Sequence, residues 1–195
     1  MIGKLAPGAA SGPGGAESVF ASFRPLIRAA DGLTLGQVCA LTGLEPSTVQ
    51  NWVKRGFVAR PAGKKYRERQ LARILLISAL RDSLRIEQIG AMLACVNGSA
   101  DDESDDIITE EELYDLLCRI VRLRDETPAG EADVAALVLS ATADYRPPVP
   151  GAETRLRSAL AVMVCAWFAG EYKREAERRL ETLLDGGAAP GKTLQ

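Results

Sequence analysis

The chain has 195 residues, 47% of them apolar and 26% charged, with a formal net charge of −2 and not one histidine. This excludes an intrinsically disordered chain, which needs low hydrophobicity and high net charge, and leaves room for one compact domain or two small ones. Without histidine the usual mixed zinc ligand sets and the commonest general base are gone, and no phosphate-binding Gly loop or nucleophile motif occurs. Neither an enzyme, a metal site nor a cofactor is expected.

In chain order, residues 1–16 are mostly Gly, Pro, Ala and Ser and predict a flexible tail. Residues 17–30 carry Val19, Phe20, Phe23, Leu26 and Ile27 at helical spacing. Thr34 and Gln37 form a capping box for a helix that stops at Gly43. Pro46 opens the next helix, at the position where its missing N–H costs nothing, and Gly56 ends it. Phe57-Val58 and residues 64–67 are expected to pair as a two-stranded wing around Pro61-Ala62-Gly63. Helices are then predicted over residues 68–84 and about 86–96. Another starts at a second capping box, Thr109 with Glu112, and one more covers about 131–145. After the "PPVP" break a last helix covers about 153–184, and residues 185–195 predict a second tail. The fold class is mainly α with one small β wing.

Cys39, Cys95, Cys118 and Cys165 lie far apart, and each falls in an apolar helical pattern, so all four are expected to be reduced core thiols. The N-terminus shows Lys4 but no apolar signal core, and the run at residues 158–170 is too short to span a bilayer. A cytoplasmic protein without a membrane segment is expected.

Near-neutrality hides a strong asymmetry. Residues 34–90 hold ten Lys/Arg against four Asp/Glu, whereas residues 91–145 hold three against fourteen. A basic block followed by an acidic one suggests a polyanion-binding module attached to something else. Within the basic block, the helix "PSTVQNWVKR" turns Val49, Trp52 and Val53 to one face. Ser47, Gln50, Asn51 and Lys54 fall on the other face, with Thr48 and Arg55 on the flanks. That helix contains no carboxylate, as suits a surface set among phosphates. Two short helices joined by a tight Gly-containing turn make a helix-turn-helix unit. Its second helix enters the major groove, where Asn and Gln can bond adenine and Arg or Lys can bond guanine. The wing would bring Lys64, Lys65, Arg67 and the Tyr66 hydroxyl to backbone phosphates. A plain solvated face is the bland alternative, and the basic wing that follows the helix weighs against it.

The segment "LTLGQVCALTGLEPSTVQNWVKRGFV", with "KKYRERQLARILLISALRDSLRIEQIGAML" after it, resembles the DNA-binding domain of the MerR family of bacterial regulators. The landmarks are the "TG..PST" turn, the aromatic Trp52, "RGFV" entering the wing and "YR" leaving it. The resemblance implies a winged helix-turn-helix with groove-reading residues at Thr48, Gln50 and Asn51 and wing contacts at Lys64, Tyr66 and Arg67. Members often have Arg and Tyr where this chain has Gln50 and Asn51, so the usual operator preference does not carry over. The continuation "VNG…DDESDDIITEEELYDLLCRIV" resembles a subgroup of MerR-like proteins known mainly as a domain of unknown function, which implies a transcriptional regulator. The Cys cluster of metal-sensing MerR proteins is missing.

The acidic loop 101–106 lacks the sixth-position Gly and twelfth-position Glu of an EF-hand, so a solvated loop near the start of the next helix is expected rather than a calcium site. The expected organisation is a tail (1–16), a winged helix-turn-helix domain (17–96), a helical dimerisation or regulatory region (97–184) and a tail (185–195). Leu156, Leu160, Met163, Val164, Trp167 and Phe168 carry more apolar surface than a lone helix can hide, and they predict a homodimer. The expected function is sequence-specific regulation of transcription on double-stranded DNA; the alternative is a DNA-architectural or excisionase-like recombination accessory protein.

Overall fold

The computed structural model describes residues 19–102, 104–127 and 133–186. These form eight helices: α1 (Val19–Ala29), α2 (Leu35–Thr42), α3 (Pro46–Lys54), α4 (Glu68–Leu80), α5 (Ile86–Asn97), α6 (Glu110–Glu126), α7 (Val134–Ala141) and α8 (Ala152–Gly186). The mainly helical class is as expected. The expected tail 1–16 lies outside the described residues, as do Glu17, Glu103 and Glu131. Of the expected tail 185–195 only Asp185 and Gly186 are described, and they close α8.

Local sequence explains most helix ends. Thr34 Oγ1 accepts from the Gln37 N–H while the Gln37 side chain accepts from the Thr34 N–H at 2.8 Å, and Thr109 with Glu112 repeats the device at α6. Pro46 is the first residue of α3. Gly56, at φ 78°, adopts the left-handed conformation that lets the Phe57 N–H bond back to Trp52 O at 2.9 Å and close the last turn. α4 ends at Leu80, short of the expected 84, because the Ser83 N–H turns back onto Leu80 O in a tighter bond.

α4 is the axis of the molecule. Nine of its thirteen residues are buried, and they lie all around the helix, as a helix covered on every side requires. It packs against α1, α2, α5, α6 and α8. Tyr114 of α6 is fully buried and meets Phe20 of α1 edge to face at 5.9 Å.

Three expectations change. Among the described residues, extended pairing is limited to two isolated antiparallel bridges, Leu33 with Tyr66 and Ala62 with Lys65. Phe57-Val58 does not pair with residues 64–67. The Phe57 and Val58 N–H groups are taken by Trp52 O, and Tyr66 pairs instead with Leu33, two residues before α2. Of the cysteines Cys118 is buried and Cys39 is half-buried, but Cys95 and Cys165 are exposed. Cys95 sits two residues from Leu93, about 200° around α5, and so faces away from its buried stripe. Finally, Leu156, Leu160, Met163, Val164 and Trp167 are buried within their own chain, and Phe168 is half-buried beneath the Arg124 guanidinium at 4.8 Å. These residues need no partner to hide them. The apolar side chains that α8 leaves exposed lie mostly further on: Tyr172, Leu180, Leu183 and Leu184.

Candidate functional site

α2 and α3 pack together across the turn Gly43–Leu44–Glu45. Val49 and Trp52 are buried in the shared core with Val38 and Leu44. That fixes which way α3 rolls. Ser47, Gln50, Asn51 and Lys54 stand exposed on its outer side, and Thr48 is half-buried. Arg55, just past the helix, is exposed but engaged. Its guanidinium lies over the Phe57 ring at 4.8 Å and pairs with Glu87 of α5 at 2.6 Å. The Glu87 backbone N–H and Arg55 together hold that carboxyl below its ordinary value. Phe57 also presses on Gly90, where an added Cβ would come within 2.9 Å of the ring. The exit of α3 is therefore seated on α5.

The tip that follows is a tight turn over Ala62–Lys65. The Lys65 N–H bonds to Ala62 O at 2.9 Å, and Gly63 and Lys64 both have positive φ, 57° and 61°. That handedness matches the twist of an antiparallel ribbon. Lys64, in the turn, is exposed. Its neighbours do other work. Lys65 is half-buried and its Nζ donates to Ala30 O and Gly32 O at 3.3 and 3.4 Å. Tyr66 is 4% exposed, and burial pushes its phenol up. Arg67 is exposed and pairs with Asp31 at 2.8 Å. Of the ten residues expected at an interface, seven are exposed: Ser47, Gln50, Asn51, Lys54, Arg55, Lys64 and Arg67. Thr48 and Lys65 are half-buried and Tyr66 belongs to the core. Lys54, Lys64 and the nearby Arg60 have no ion-pair partner among the described residues.

A second group escaped sequence reading. Arg73, in the middle of the apolar α4, is buried; its Nε donates to Phe57 O at 2.8 Å and its Nη1 to Glu110 Oε1 at 3.0 Å. Glu110, at the first turn of α6, is 1% exposed and also takes Arg69 Nε at 3.0 Å. Arg69 reaches Asp106 at 3.4 Å and the Asp102 carbonyl at 2.8 Å. The one available signal was an arginine set inside an apolar run, "LARILLI". The acidic loop is thus tied to α4 rather than wholly solvated: Asp106 is half-buried, while Asp101, Asp102 and Asp105 are exposed. Among the described residues no group of three or more His, Cys, Asp or Glu is placed to hold a metal ion, and no helix is long and apolar enough to cross a membrane.

Residues 34–117 match a family model described as "Domain of unknown function (DUF1836)". The matched stretch runs from the cap of α2 into α6, so it contains both the α3 surface and the Arg69–Arg73–Glu110 cluster. The chain is also 35% identical over 85 residues to the "Uncharacterized protein YkrK" of Bacillus subtilis (strain 168). That alignment covers 42% of this chain and 36% of the relative, so this chain spans little more than a third of the relative's length. No solved structure matches the chain.

Proposed function

We propose that this chain is a sequence-specific DNA-binding transcriptional regulator of MerR-like winged helix-turn-helix type, acting in the bacterial cytoplasm. α2 and α3 are the helix-turn-helix, α3 is the groove-reading helix and the Ala62–Lys65 turn is the wing tip. One observation carries the reading. α3 buries Val49 and Trp52 and presents Ser47, Gln50, Asn51 and Lys54 to solvent, and the segment that follows it carries the exposed cations Arg60 and Lys64, which have no ion-pair partner among the described residues. Amides on an exposed helix supply two directed hydrogen bonds to a base edge, and unpaired cations supply counterion release on phosphates. Lys65 and Tyr66 shape the turn instead of touching DNA.

We infer that the regulator works as a homodimer through the distal part of α8, where Tyr172, Leu180, Leu183 and Leu184 are exposed on one long helix. A two-fold dimer would present two α3 helices to two half-sites.

The test is selection of bound sequences from random duplexes, followed by isotherms over a salt series. Recovery of a motif is expected, with Lys54→Ala and Lys64→Ala each lowering the salt slope by about one unit. No enrichment of any motif at low salt, with a folded protein, refutes the reading.

A further inference from the structure

We propose that Asp106 governs the placement of α3 through a buried charge cluster, which makes the exit of that helix responsive to pH. The cluster is continuous from one end to the other. Asp106 Oδ2 faces Arg69 Nη2 at 3.4 Å, Arg69 Nε meets Glu110 Oε2 at 3.0 Å, and Arg73 Nη1 meets Glu110 Oε1 at 3.0 Å. Arg73 Nε then donates to the Phe57 carbonyl at 2.8 Å, one residue beyond the glycine that terminates α3. The four side chains are 14% exposed or less, so their charges act on one another with little screening.

Asp106 is the weak member. Its Oδ1 is buried and has no hydrogen-bond partner among the described residues, which leave the ionised carboxylate only half satisfied. Burial is the main cause that raises its pKa to about 6; Glu110 from α6 and Asp105 from its own loop also raise it, while Arg69 and Arg73 from α4 pull it down. Asp101 and Asp102 are exposed in the same loop. Ionised, Asp106 shares Arg69 with Glu110, and two guanidiniums face two carboxylates. Protonated, it turns an orphan acceptor into a donor and leaves Glu110 as the single anion between Arg69 and Arg73. Arg73 recentres on Glu110, and the Phe57 carbonyl it holds moves with it. Phe57 is also wedged between Arg55 and Gly90, so the adjustment reaches the last turn of α3.

The chain contains no histidine, but burial also raises the Glu111 carboxyl beside Glu110, so the Asp106→Asn variant is what assigns the transition. The coupling stands on the geometry of the cluster; its consequence for DNA rests on the reading of α3 given above.

The experiment is a titration of backbone amide resonances of the full chain from about pH 5 to about pH 7.5, without DNA. The Phe57 and Val58 amides should shift together with Ile107, with a midpoint of about 6. Asp106→Asn should flatten all three, and Asp102→Asn, an exposed carboxylate of the same loop, should leave them titrating. Phe57 and Val58 resonances that stay flat in the wild type, or that keep the same midpoint in Asp106→Asn, overturn the coupling. A second arm measures affinity for the selected duplex at both ends of the range. Wild-type affinity should differ about fivefold between the two ends, beyond any change in Asp106→Asn. Amides that titrate as expected while affinity does not follow overturn the regulatory consequence. Amides that titrate with no duplex bound at either pH count against the DNA reading instead.

Discussion

Two surfaces of this molecule are rich in exposed cations, and they are built differently. Along the distal part of α8, Lys173, Arg174, Arg178 and Arg179 each meet a carboxylate: Glu177, Asp82 with Glu171, and Glu175 for the last two. Around α3 and the Ala62–Lys65 turn, Arg55 and Arg67 are paired, but Lys54, Arg60 and Lys64 are not, among the described residues. A count of cations alone would not separate the two. The pairing separates them: on α8 the field of each cation is cancelled within a turn or two, whereas on α3 it extends into solvent. An acidic ligand distinguishes a neutralised lattice from an open one, and only the second attracts a polyanion.

The most forceful way to break this comparison is to remove the platform beneath α3. Trp52→Ala opens a cavity between α2 and α3 and should cost about 3–5 kcal/mol in denaturant unfolding, abolishing the open surface with it. A loss below about 1 kcal/mol would mean that Trp52 is not the anchor its burial indicates. Next in size, Gln50→Ala and Asn51→Ala should each cost roughly 1–3 kcal/mol of discrimination at one operator position, read by competition between matched and mismatched duplexes. The stability of the fold should hardly change, since both side chains are exposed.

Asp106 gives a smaller effect with a definite sign. Its folded-state pKa of about 6 lies above its ordinary 3.8, so between those values the folded chain keeps a proton that the unfolded chain has released. Stability is therefore greatest below the lower value, falls as pH rises through the window, and levels off above it. Asp106→Asn should remove this slope and raise stability at neutral pH by roughly 1 kcal/mol after allowing for solvent screening, as measured by melting at a series of pH values. The smallest effect belongs to α8. Arg179→Ala breaks an exposed i,i+4 pair with Glu175 and should change stability by about 0.3–0.5 kcal/mol, with no change in the salt dependence of DNA binding. A salt slope that falls as much there as in Lys64→Ala would dissolve the distinction between the two surfaces.

Much of this was legible in the sequence wherever the cause is local. The Thr34–Gln37 and Thr109–Glu112 boxes, Pro46 at the head of α3 and Gly56 at its foot are written within four residues of the ends they set. The roll of α3 followed from Val49, Trp52 and their spacing. What stayed hidden is non-local. Tyr66 and Lys65 look like neighbours of Lys64 on a basic ribbon, yet Leu33 and the Ala30 and Gly32 carbonyls, more than thirty residues earlier, claim them. Arg73 reads as an interruption in an apolar helix until Glu110, 37 residues on, is seen beside it. Periodicity likewise measured how much apolar surface the start of α8 carries but not what covers it: α4, α5, α6 and α7 of the same chain do.

The Arg73–Glu110 contact also bears on how the protein can be dissected. A fragment cut after α5 would retain every residue of the proposed reading surface, and it would look like a natural module. It would also strip α4 of α6 and α8, exposing to water the apolar side chains they cover and leaving Arg73 without its carboxylate. The proposed reading surface therefore shares its core with α6 and α8, and the full chain is the form in which to study it.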